Sequence, residues 1–161
     1  MTWVAYPITV LLLVLATALQ NTWPGWLLLL GRTPDVALVT VVAIAISGGP
    51  VLGCFAGLTG GLLVAATQAE ALGAFLLTYM LVGTLVGLMR GTLLADRVLV
   101  PVLVVLLAAP LTEVMRMVIA PPAEPAPWVL GALVAAIYSA VLAAPVYILV
   151  RLLTDRLFGE H

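Results

Sequence analysis

The chain has 161 residues, of which 65% are hydrophobic and 8% charged, with a formal net charge of −1. Soluble domains carry roughly a quarter charged residues, because a chain folded in water must cover much of its surface with polar groups. A soluble globule is therefore excluded, and with no lysine and only six basic residues so is a phosphate-neutralising nucleic-acid surface.

Apolar runs of bilayer length recur along the chain. They predict an all-α, polytopic membrane protein: one integral membrane domain over residues 1–161, with about six short transmembrane helices. The first run, Trp3 to Leu19, contains the small-x-small triplet Ala16-Thr17-Ala18, as a signal-peptidase site would. No Lys or Arg precedes it, so the positive n-region of a secretory signal is missing and a retained helix over 3–19 is expected. Gln20-Asn21-Thr22 ends this helix. Trp23-Pro24-Gly25-Trp26 marks a membrane interface, where indole rings settle at headgroup level. Trp26 to Leu30 is too short to span.

Pro34 suits the first turn of a second helix, expected over 34–47 and short for a bilayer core of roughly 30 Å. Tilt, local thinning of the membrane or a re-entrant hairpin would each accommodate it. Gly48-Gly49-Pro50 breaks the helical ladder. Further helices are expected over 51–67, 71–89, 98–120 and 128–153. Gln68-Ala69-Glu70 forms a turn and Arg90 to Arg97 a polar loop, while the proline-rich segment 121–127 is expected to be extended. With six spans, Arg90, Arg97, Arg151 and Arg156 share one side, which the positive-inside rule makes cytoplasmic along with both termini.

Small residues recur at four-residue spacing: Gly53, Gly57 and Gly61; Gly83, Gly87 and Gly91; and Gly131, Ala135, Ser139 and Ala143. Residues four apart share a helix face, and glycine or alanine there lets backbones approach closely. Such ridges either hold this bundle together or dock a partner's helix. A second feature is Glu113 with Arg116, three residues apart and able to pair. Glu113 lies roughly 10 Å inside the end of its helix, a depth at which ionisable groups are expensive. Pro110, one turn earlier, frees a backbone carbonyl. Tyr79 and Tyr138 fall near the middle of helices, where a phenol needs a hydrogen-bond partner, and Ser139 is available to such a polar interior. Asp35, Glu70, Arg90, Asp96 and Arg97 fall at helix ends, where solvated capping roles are expected.

Catalysis finds little support. The one histidine is His161 and the serines are Ser47 and Ser139, so there is no nucleophile–base pair, no metal-ligand cluster and no phosphate loop. The expectation is a protein that is not an enzyme and needs no cofactor or metal.

The pattern resembles the rod shape-determining MreD family of bacteria, from about Leu11 to Leu153. Gln20 closing the first helix and Gly31-Arg32-Thr33-Pro34-Asp35 before the second are similar to that family. So are Gly48-Gly49-Pro50 and the run Gly53 to Leu63, with Gly57-Leu58 inside it. Tyr79, Gly83, Gly87, Glu113, Tyr138 and Ala144-Pro145 follow in a similar order. One departure is Gly61-Leu62-Leu63-Val64-Ala65, where family members often carry an acidic residue. The resemblance implies a bundle similar to the S components of energy-coupling-factor transporters. It also implies an inner-membrane scaffold of the cell-elongation complex, without chemistry of its own. Implied partners are a bitopic MreC-like protein, the RodA glycan polymerase, a class B penicillin-binding protein and, indirectly, MreB filaments. The alternative is a vitamin-binding S component itself, which needs polar and aromatic groups around an outward pocket; Glu113, Arg116, Trp128, Tyr138 and Asn21 are the candidates. No ring of polar positions suggests a channel.

Overall fold

The computed structural model describes residues 4–28, 33–68, 72–91, 99–119, 121 and 125–158. Within them lie α1 (Ala5–Asn21), α2 (Val36–Gly48), α3 (Pro50–Gln68), α4 (Leu72–Leu88), α5 (Leu99–Ile119) and α6 (Pro125–Phe158). Single 3-10 turns follow α1 at Gly25–Leu27 and α4 at Met89–Gly91. Among the described residues there is no strand. A bilayer favours this outcome, because helices satisfy their backbone groups internally where no water can.

Four helices are long and apolar enough to cross a membrane: α3, α4, α5 and α6. The remaining two are apolar but shorter, with 17 residues in α1 and 13 in α2. The expected helices are thus present, while only four reach spanning length. The position of α2 explains its brevity. Every residue from Val36 to Ile46 is buried, and the other five helices all pack against it. It is apolar on every side because it touches protein on every side. At about 20 Å long it fills only part of a hydrocarbon core of about 30 Å.

The turn between α2 and α3 falls where the paired glycines and proline place it. Gly49 has φ 82°, a left-handed conformation that glycine adopts without strain. Pro50 then opens α3, where its missing N–H has no intrahelical partner to lose. The same logic corrects the expectation of an extended segment through residue 127. Helix α6 starts at Pro125, so Pro125 and Pro127 both sit in its first turn. Pro122 to Glu124, most of the 90–97 loop, Glu70 and the last residues of the chain lie outside the described residues.

The first two glycine ridges interlock, apart from Gly91, which open space surrounds. A Cβ on Gly53 would stand 2.3 Å from the Gly83 carbonyl oxygen, and one on Gly83 would stand 2.1 Å from that of Gly53. A Cβ on Gly57 would meet the Tyr79 carbonyl as closely, one on Gly61 would stand 2.8 Å from the Phe75 carbonyl oxygen, and one on Gly87 would stand 2.5 Å from the Pro50 Cα. The α3–α4 seam is therefore backbone against backbone along most of its length. Lipid supplies no hydrophobic drive between helices, so packing this close is where association energy comes from.

Gly57→Ala would put a methyl group into the α4 backbone. It should cost about 3 kcal/mol or more, measured by reversible unfolding in mild detergent. Gly73→Ala is the control: open space surrounds that position. There the change should be neutral or stabilise by up to about 1 kcal/mol.

Candidate functional site: a buried polar cluster at the head of α2

Helix α2 begins inside the bundle, and its first turn has no water to bond. The four leading N–H groups of a helix lack intrahelical acceptors. Here each finds one. The Asp35 N–H donates to Oγ of Ser139 on α6 at 2.8 Å and the Val36 N–H to the Pro34 carbonyl at 3.1 Å, while the Val39 N–H makes the first intrahelical bond, to the Asp35 carbonyl at 3.1 Å. The Ala37 N–H donates to Oε1 of Gln20, reaching across from α1, at 3.2 Å. The Leu38 N–H donates to Oδ1 of Asp35 at 2.9 Å, which makes Asp35 the N-cap.

Asp35 also ties α2 to two other helices. Its second carboxylate oxygen, Oδ2, accepts the Tyr79 hydroxyl of α4. Its backbone N–H donates to Oγ of Ser139 on α6 at 2.8 Å. Ser139 in turn donates to the Ala135 carbonyl one turn earlier, at 2.7 Å, so both sides of its hydroxyl are used. Tyr79 lies about two turns into α4 and Ser139 about four turns into α6, which sets how deep the head of α2 sits.

A second polar group joins from α5. Arg116 Nη1 donates to Glu113 Oε1 at 2.9 Å, the pairing expected from their spacing. The guanidinium also lies over the ring of Phe75 in α4, 4.4 Å from its centroid, a cation–π contact. Phe75 and Tyr79 are themselves neighbours, with centroids 6.3 Å apart. The ion pair thus reaches the neighbourhood of Tyr79 through Phe75, and the positive end of the α2 dipole lies against the Asp35 carboxylate.

Of the residues singled out above, Ser139, Glu113 and Arg116 belong to this cluster. Tyr138 does not: its ring meets the edge of Trp23 with centroids 6.0 Å apart. Gly53, Gly57, Gly61, Gly83 and Gly87 form the α3–α4 seam. Gly131 is buried, as is Ser139, and Ala135 half-buried, so the α6 ridge too turns largely inward. Two expectations need correction. Asp35 caps a helix, as its position suggests, but inside the protein rather than in solvent, because α2 starts in the bundle interior. Trp23 is half-buried and its indole N–H is buried without a hydrogen-bond partner, so interface exposure falls to Trp26, which is 82% exposed.

Gln20 and Phe75 join the site only through the fold. Gln20 carried a signal, being a lone amide at the end of an apolar run, where a buried polar group needs a partner. Phe75 carried none, since nothing in the sequence joins it to Arg116. Chemically the arrangement is a lock. Carboxylate, phenol, hydroxyl and amide are bonded to one another or to backbone, and together they pin α2 to α1, α4 and α6.

Tyr79→Phe should cost about 1–2 kcal/mol by stranding a carboxylate oxygen. A double-mutant cycle with Asp35→Asn should show coupling of about 1 kcal/mol or more, read from detergent unfolding midpoints. Additive effects would mean that the two side chains do not act as a pair.

Set beside known proteins, the chain matches no family model, no curated protein and no solved structure.

Proposed function

We propose that this protein is a non-catalytic scaffold of the bacterial cell-elongation machinery, similar to the MreD family. In this reading it sits in the inner membrane with both termini in the cytoplasm. It holds a bitopic MreC-like protein and helps to position or activate the RodA glycan polymerase and a class B penicillin-binding protein. Contact with MreB filaments is indirect.

One observation carries the reading: the carboxylate, phenol, hydroxyl and amide at the head of α2 are bonded to one another or to backbone, and they pin α2 in place. A rigid bundle of this kind is suited to presenting its outer faces to other membrane proteins. The residues on which the resemblance rests also coincide with those that build the bundle. Gln20, Asp35 and Tyr79 meet at the head of α2. Gly53, Gly57, Gly83 and Gly87 make the α3–α4 seam. Gly48-Gly49-Pro50 makes the turn that returns the chain from α2. A relative would need the same devices for the same architecture.

Purification of the tagged protein from its native membrane in mild detergent, followed by mass spectrometry, tests the reading. An MreC-like protein recovered together with RodA or a penicillin-binding protein is the expected result. Recovery of ATPase subunits with a polytopic coupling protein, or of a bound vitamin, would replace the scaffold with a transporter S component. Glu113→Gln should lower recovery of the partners several-fold while leaving membrane insertion intact, because its ion pair with Arg116 orders the outer part of α5. Unchanged recovery would remove Glu113 from any role in assembly.

A further inference from the structure

Among the described residues two prolines stand in helix interiors, Pro110 in α5 and Pro145 in α6. Proline has no N–H, so the carbonyl four residues earlier loses its helical partner. Those carbonyls belong to Leu106 and Val141. Nearby hydroxyls do not replace the lost donors. Thr112 gives its hydrogen to the Ala109 carbonyl at 2.7 Å, and Ser139 gives its own to that of Ala135 at 2.7 Å. Among the described residues no side-chain hydrogen bond ends on Leu106 or Val141.

Val141 lies at the centre of the apolar run Trp128–Leu153, roughly 20 Å from either end. It is 66% exposed and Pro145 is exposed with it, whereas Leu106 is 38% exposed. The Val141 carbonyl is therefore the more open of the two. Water does not reach the middle of a bilayer and acyl chains hold no donor, so an unbonded carbonyl there costs free energy. A donor carried by another membrane segment removes that cost. Ala144, half-buried beside Pro145, is small, and small residues let a second backbone come close. A second copy of this chain is a poor source of the donor. Its half-buried Thr59 and Thr84 already give their hydrogens to carbonyls of their own helices.

We propose that the exposed face of α6 around Val141 and Pro145 docks a membrane-spanning helix of another protein, whose hydroxyl or carboxamide side chain donates to the Val141 carbonyl. The proposal rests on the scaffold reading for the existence of a membrane partner, and it names the face that the partner uses.

The test places a photoreactive residue at Val141 of the tagged full chain, irradiates the native membrane and sequences the attached peptide by mass spectrometry. The same residue at Leu15, exposed on α1, is the reference. Position 141, and not position 15, should capture a membrane-spanning peptide with Ser, Thr, Asn or Gln close to the point of attachment. Pro145→Ala restores the N–H that the Val141 carbonyl lacks. It should lower capture about threefold to tenfold, while raising the unfolding midpoint of the isolated chain in detergent. Replacing the captured donor in the partner by an apolar residue should lower capture by the same factor, and both changes together by no more. Additive losses would reduce the contact to packing and overturn the proposal, as would a captured peptide without a donor. Lipid alone at position 141, with the elongation partners still recovered on purification, would sink the α6 face and leave the scaffold standing. A donor-bearing helix from a transporter's coupling protein would keep the face and sink the scaffold.

Discussion

The rest of the structure hangs on where α2 begins. A helix that starts inside a membrane protein has leading amides that water cannot reach, and each unbonded one would cost several kcal/mol in hydrocarbon. Asp35 answers this with its side chain, Gln20 answers from α1, Ser139 from α6, and Pro34 supplies the remaining acceptor. The solution runs both ways. A carboxylate in the interior needs donors and positive potential, and the head of a helix offers both. Amides and acid are each expensive alone and compatible together, which is why the cap lies at the junction of four helices.

That junction fixes depth as well as position. Because Asp35 is held by Tyr79 of α4 and Ser139 of α6, α2 cannot slide along its own axis without breaking bonds to two neighbours. At its other end Gly49 turns the chain sharply, and Gly87 packs against Pro50 and Gly49. Threonine and serine hydroxyls elsewhere in the bundle follow the same economy. Thr17, Thr40, Thr59, Thr78 and Thr84 each donate to a carbonyl one turn back in their own helix. A hydroxyl satisfied in this way needs neither water nor a neighbour, and it leaves the helix surface effectively apolar.

The architecture was largely legible from the sequence because the bilayer imposes length and apolarity, and because glycine and proline break helices by local chemistry. The breaks at Gln20 and at 48–50 are of this kind, as is the Glu113–Arg116 pair, which needs only helical spacing. Less legible were the features set by distant contacts. Asp35 has the look of a solvent-facing cap, since a cap in water and a cap in the interior share the same residue; its depth comes from Tyr79, 44 residues away, and Ser139, 104 away. The first turn of α6 differs from expectation because a run rich in proline suggests extended chain, although the first helical turn tolerates prolines that its interior does not. The short α2 raised a question of membrane thinning that its burial removes, because a helix enclosed by protein makes no demand on bilayer thickness.

The two seams of α4 are built in opposite ways. Toward α3 its glycines bring backbones into contact, and nothing mobile can enter. Toward α5 its Leu, Val and Met side chains hold the backbones apart and leave hollows. A bundle closed everywhere by glycine would offer its surroundings only a smooth exterior, and one open everywhere would not hold α2. The ridge on one face of α4 therefore lets its opposite face stay open: rigidity gained at Gly53, Gly57, Gly83 and Gly87 allows α5 to stand off from α4 while Arg116 bridges to Phe75 at one end.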